Sequence, residues 1–361
     1  MRPVPEGAEA YRREFLTRVT SSSAGQADRR PGIKDVAAIA QVSVGTASDA
    51  LNGSGRVASR TRARIRQVAE AIEYRPSTLA RSFRTNKSHT IGLSIRPFGG
   101  APWQYLAVSY YARLLSAATA EALQRGYALI VLPPNTPQIL DRIVIDGAII
   151  ADPSPYDPLT DELDLLGVPF VSDLSRMDDP AALCVGNDHA DAVTTVCAHF
   201  RSQGARSVGM LLSDGTEDYN TRSLHGYQTW CARNGAPVRV ERASTVDPVA
   251  MAKAADRLMT GPDRPEAVYT TEGPAGHLLQ EAARRNNLRV PDDVLLACAE
   301  VSVTGREQLD LTTLNLNAEH VAAQAVDLLA QTLEDQHPND RHRVVDTTLH
   351  VRGSSTRTTS S

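Results

Sequence analysis

Three hundred and sixty-one residues, 42% hydrophobic and 22% charged, suffice for two or three domains with at least one sizeable core and exclude a small disulfide-stapled scaffold. No run of about 18 apolar residues occurs, so no membrane-spanning helix is expected. The cysteines Cys184, Cys197, Cys231 and Cys298 stand far apart in no metal-ligand spacing, which fits reduced thiols in a cytoplasmic protein. The net charge of −4 conceals an asymmetry: Met1 to Thr90 carries 16 Lys and Arg against 8 Asp and Glu, a net of +8, which leaves −12 on the remainder. Such segregation suits contact with a polyanion, and charge alone equally suits a solvated basic tail.

Residues 1–30 lack the apolar stretch of a signal peptide. Apart from a short helix around Ala10 to Val19, they read as a flexible extension. From Ile33 the spacing turns helical, with Ile33, Val36, Ala37 and Ala40 on one face, and later Ile65, Val68, Ala69 and Ile72. Between them lies a helix, a tight turn at Gln41 and a second helix that Ser43 is placed to cap. Val42, Ala47, Ala50 and Leu51 then face the first helix, and Val44, Gly45, Thr46, Ser48 and Asp49 face outward. An outer face of small residues lets a helix enter a major groove, where all four base pairs are distinguishable. Alone, such a hairpin is more often structural. Arg60, Arg62, Arg64 and Arg66, on or before the third helix, favour DNA because they suit phosphate contacts.

Beyond Thr90, short apolar runs (Ile91 to Ile95, Ala128 to Leu132, Gly147 to Ala151, Pro169 to Val171, Val208 to Leu212, Ala267 to Tyr269, Val294 to Cys298) alternate with amphipathic stretches. The stretches are Leu106 to Gln124, Ala190 to Ser202, Ser223 to Asn234, Val249 to Met259 and Ala275 to Asn286. Strand-helix alternation of this length predicts parallel sheets wrapped by helices, in two linked subdomains.

From Ile33 to Ser355 the sequence resembles the LacI family of bacterial transcription regulators. Ile33-Lys34-Asp35-Val36-Ala37, Val42-Ser43-Val44, Leu51-Asn52-Gly53, Tyr74-Arg75-Pro76, Leu79-Ala80-Arg81-Ser82, Asp146-Gly147-Ala148-Ile149-Ile150 and Val290-Pro291-Asp292-Asp293-Val294 carry the likeness. The resemblance implies an α headpiece, a helix-turn-helix within a three-helix bundle, over residues 31–76. A hinge helix follows over 77–88, then an α/β periplasmic-binding-protein-like core of two doubly wound subdomains over 89–352; residues 353–361 read as a disordered tail. It implies DNA contacts from Val44, Gly45, Thr46, Ser48, Asp49, Asn52, Ala80, Arg81 and Phe83. Phe83 matches the apolar wedge that kinks the central minor-groove step, and a buried joint between headpiece and core is its alternative role. Gln41 replaces the family's usual Gly at the turn, where a left-handed conformation costs a residue with a Cβ. Asp49 replaces its common Arg, an acceptor suited to cytosine N4 where a donor suited guanine.

For the ligand, the positions that follow each strand are the candidates. The resemblance points to Trp103, which could stack on a sugar or a base or else cover the core, and to Asp188, which is also a plain helix N-cap. It points further to Arg222, one residue out of register with a ligand-binding Arg of the family, and to Glu272, one position from the family's Asp. These departures widen the expected effector class beyond simple sugars, to a sugar, nucleoside or related metabolite. No phosphate loop, nucleophile elbow or zinc motif occurs, so no cofactor, metal or catalysis is expected. The expected protein is a homodimeric, ligand-responsive repressor of a near-palindromic operator. It is not expected to form a tetramer through a C-terminal coiled coil, since no leucine heptad follows Arg352. A solute-binding protein or an α/β hydrolase-like enzyme without a DNA role is the alternative.

Overall fold

The computed structural model describes residues 8–21, 30–75, 87–95, 108–153, 156–299 and 310–357. The chain divides into two compact units, Met1–Ser88 and His89–Ser361.

The first unit is helical: α1 (Ala8–Ser21), α2 (Ile33–Ile39), α3 (Val44–Asn52) and α4 (Ser59–Ala71). Its core holds Val36, Ala37, Ile39, Ala47, Ala50, Ile65, Val68 and Ile72, with Val42 and Leu51 partly buried against it, as the apolar periodicity predicts. The stretch expected to be a flexible extension differs: α1 docks Phe15 into this core, 9% exposed, with Tyr11 beside it. A single aromatic flanked by charged residues carries too weak a period to announce a packed helix, yet one buried ring is enough to anchor it. Phe15→Ala should cost the headpiece about 3 kcal/mol, read as an earlier first transition in calorimetry, because a buried ring is lost and a small core closes poorly over the cavity. An unchanged headpiece transition would mean that α1 does not stabilise the bundle.

The second unit has two lobes of like topology. One sheet runs in the order β11-β5-β4-β3-β1-β2 and the other β12-β10-β9-β8-β6-β7. The first contains β1 (Thr90–Ile95), β2 (Ala128–Leu132), β3 (Gly147–Ala151), β4 (Phe170–Ser172), β5 (Leu183–Gly186) and β11 (His342–Val344). The second contains β6 (Val208–Ser213), β7 (Val240–Ala243), β8 (Ala267–Thr270), β9 (Leu295–Ala299), β10 (Thr312–Asn315) and β12 (Thr348–His350). All pairings are parallel except that of β10 with β12. Helices α5 (Ser109–Gln124) and α11 (Ala318–Leu333) cover one face of the first sheet and α6 (Pro158–Leu166) the other. In the second lobe α7 (His189–Ser202) and α8 (Asp218–Asn234) cover one face, and α9 (Pro248–Leu258) and α10 (Ala275–Arg285) the other.

The chain crosses between lobes after β5, after β10 and after β11. Two amides staple these crossings: Asn187 Nδ2 donates to Val345 O at 2.8 Å and Asn317 Nδ2 to Asp346 O at 2.8 Å. Residues 353–357, expected to fray, are instead held. Ser354 and Ser355 are buried, Ser354 Oγ donating to Leu296 O and Ser355 Oγ bonding Thr312 and His199. Small polar residues give no sequence signal of burial, but their hydroxyls satisfy carbonyls that would otherwise be orphaned.

Candidate nucleic-acid interface and ligand cleft

In the headpiece the turn between α2 and α3 places Gln41 at φ +50°, the left-handed conformation the sequence requires there. It closes through Val42 N donating to Ala37 O at 2.9 Å. Ser43 caps α3, its hydroxyl accepting from Thr46 N at 3.1 Å. Arg62, expected on phosphate, instead reaches back from α4 to Asp49 O, Ala50 O and Gly55 O at 3.4–3.5 Å. It thereby places a cation on the free carbonyls at the C-terminus of α3, where the helix dipole favours it.

With its start capped and its end clamped, α3 buries Ala47 and Ala50 and presents Val44 and Gly45 to solvent, with Thr46, Ser48 and Asp49 half-buried at its edges. Asn52 is exposed and folds back, its Nδ2 donating to Ser48 O at 2.7 Å. Asp49 Oδ1 accepts from Ser54 at 3.2 Å. Its carboxylate also fills the space beside Gly55, where a Cβ would come within 2.7 Å of Oδ2. Arg56, Arg60, Arg64 and Arg66 are exposed. Ala80, Arg81, Phe83 and Trp103 lie outside the described residues.

In the second unit a cleft opens at the carboxyl ends of both sheets' strands, the place where doubly wound sheets receive ligands. Asp152 follows β3, Asp173 follows β4, Asn187 follows β5, and Thr271 and Glu272 follow β8; all line it, with His189, Tyr110, Tyr111 and Tyr219. Of the residues expected there, Glu272 is in place. Asp188 is an exposed N-cap that accepts from Ala190 N and Asp191 N at 3.1 and 3.0 Å, and the residues on either side of it face the cleft instead. Arg222 lies 2.7 Å from Asp218 and donates to Leu174 O at 3.1 Å, so it joins one lobe to the other rather than lining the cavity. Asp152 and Asp173 were not singled out in the sequence, although each follows a strand, the signal that would have found them.

The electrostatics of the cleft are unusual. Asn187 Oδ1, His189 Nδ1 and Thr271 Oγ1 are buried with no hydrogen-bond partner among the described residues. Burial pushes the His189 imidazole below its ordinary range, so it stays neutral near pH 7. Asp173, taken out of water and facing the Asp152 charge, is pushed up to about 7. The folded protein therefore holds a proton on Asp173 that the unfolded chain releases near pH 4. Its contribution to stability is full below about pH 4 and is lost as pH rises to about 7, on the order of 4 kcal/mol in all. Urea melts of Asp173→Asn should lack this fall; a variant with the same pH slope as the parent would contradict the assignment.

A helix-turn-helix headpiece followed by a two-lobed periplasmic-binding-protein-like core defines a ligand-responsive, DNA-binding transcription regulator. The profile of the bacterial regulatory proteins, lacI family, matches residues 32–77 and that of the periplasmic binding protein-like domain matches 197–355. Both matches support the LacI family of bacterial regulatory proteins for this chain. It is 26% identical over 342 residues to the sucrose operon repressor of Klebsiella pneumoniae, covering 90% of this chain and 98% of that protein. It is 25% identical over 334 residues to the transcriptional repressor CytR of Escherichia coli strain K12, covering 89% and 95%. In fold it is similar to the lac repressor dimer bound to operator and an anti-inducer, with TM-score 0.74 and 18% identity over 91% of this chain and 100% of that one. The complex of the regulator CelR with cellobiose matches at TM-score 0.64 and 22% identity, over 90% and 100%. Among the described residues no helix is long and apolar enough to cross a membrane.

Proposed function

We propose that the chain acts as a homodimeric repressor whose paired headpieces read the half-sites of a near-palindromic operator. The observation that carries this is α3 itself, capped by Ser43, clamped by Arg62 and offering Val44, Gly45, Thr46, Ser48, Asp49 and Asn52 along one side. A short, small-residue helix of this kind fits a major groove, and the exposed Arg56, Arg60, Arg64 and Arg66 supply charge for the phosphates beside it. Ala80, Arg81 and Phe83 are proposed for the central minor groove, through the family resemblance alone. The operator-bound dimer among its structural relatives supports the stoichiometry.

A small effector, in the class of sugars, nucleosides and related metabolites, would bind the interlobe cleft. The cellobiose held by CelR supports that location. Closing on the ligand would change how the lobes meet about the Asn187 and Asn317 staples and so alter operator affinity by linkage. Nothing in this role requires chemistry on the ligand. Mobility shift of genomic fragments by the full chain, with and without excess random duplex, tests the reading. Retention of particular fragments against competitor supports it, and uniform displacement contradicts it.

A further inference from the structure

The cleft's own atoms narrow the effector class further, an inference that rests on reading the cleft as the effector site. Asp152 and Asp173 leave adjacent parallel strands in register, Ile150 beside Ser172, and so enter the same end of the cleft. Asp152 is held at φ +51°, a conformation a residue with a Cβ adopts at a cost, and accepts from the Tyr111 hydroxyl. Asp173 Oδ1 is occupied by the backbone N (3.0 Å) and hydroxyl of Ser175, while no described residue bonds its Oδ2. Asn187 spends its Nδ2 on the Val345 carbonyl, so what remains is Oδ1, an acceptor with no partner among the described residues, on a residue 1% exposed.

Among the described residues no Lys or Arg lines the cleft to match these acceptors. Arg222, close enough to feel the Asp173 charge, does not line the cavity and is already engaged by Asp218 and the Leu174 carbonyl. No group of three side chains suited to a metal ion occurs among the described residues. A neutral polyol would leave the Asp152 charge without a counter-charge and Asp173 either protonated or facing a like charge, and an anion would be repelled. An ammonium brings one positive charge and three donors, enough to bond both carboxylates at once. The walls offered by Tyr110, Tyr111 and Tyr219 suit a cation as well as an apolar ring.

We propose that the effector carries a protonated amino group, seated between Asp152 and Asp173, on a small polar body whose further donors reach Asn187 Oδ1. The test is the melting temperature of the full chain near neutral pH with matched probes: D-glucosamine, D-galactosamine and putrescine against D-glucose, D-galactose and butanediol, with calcium chloride as a further arm. At least one amine should raise the melting temperature, by about 3 °C at ten times its Kd, and its neutral twin should not. Asp152→Asn and Asp173→Asn should each abolish that rise. Asp173→Asn without probe should melt above the parent at alkaline pH, since it removes a like-charge contact, which separates lost binding from lost folding.

No rise with any amine, an equal rise with a neutral twin or with calcium, or a rise that survives both substitutions would overturn the proposal. Operator binding measured on the same preparation keeps the two readings apart. A chain that selects its operator yet ignores amines refutes the amino effector alone, and one that responds to amines but binds no operator refutes the regulator.

Discussion

Gly226→Ala is expected to lower the melting temperature of the two-lobed unit by roughly 4–8 °C. Gly226 is where α8 crosses α7, and a Cβ added there would lie 2.4 Å from Ala190 O and 2.5 Å from Ala190 Cα. Two effects oppose each other. Alanine is the better helix former by about 1 kcal/mol. The contact, however, is with backbone, which cannot rotate away, so the helices must part. Overpacking of this kind costs about 3 kcal/mol or more, and the net is a loss of about 2.

Parting the helices also loosens the cluster of Val193, Val196, Phe200, Tyr227 and Trp230 between them. Because Ala190 adjoins Asn187 and His189, cleft residues would shift with it, and effector response should weaken along with stability. A variant as stable as the parent would show that the two backbones do not approach so closely.

The second large effect is on specificity. Asp49→Asn should move the operator preference at one symmetric base pair from C·G toward A·T, by about 1–3 kcal/mol or roughly tenfold to a hundredfold. Asparagine keeps the side chain's size and an oxygen for Ser54, so the Gly53-Ser54-Gly55 turn built around residue 49 is preserved. A bulkier Asp49→Arg would collide with that turn and confuse folding with reading. Selected-site sequences from parent and variant provide the measurement; identical preferences would mean that Asp49 serves only the turn.

Much of this was legible in the chain. α3 was readable because Ser43 ends one helical period and opens another, and because the small buried Ala47 and Ala50 fix which face turns out. Strands buried on both faces, such as β1, β6 and β9, were readable as unbroken apolar runs. Short strands such as β7, with the sequence Val-Glu-Arg-Ala, and β10, Thr-Thr-Leu-Asn, were not, because too few residues carry a period. Neither was the use of Arg62, since an arginine on a helix facing a carbonyl end and one facing a phosphate look alike in sequence. The pairing of Asp152 with Asp173 depends on β3 lying beside β4, which no local pattern declares.

The most direct test of a DNA-reading headpiece is selection of bound duplexes from a random library by the full chain at moderate ionic strength. An enriched inverted repeat, with half-sites that change when Asp49 is replaced by Asn, is the predicted result. Enrichment of no sequence over random competitor would contradict it.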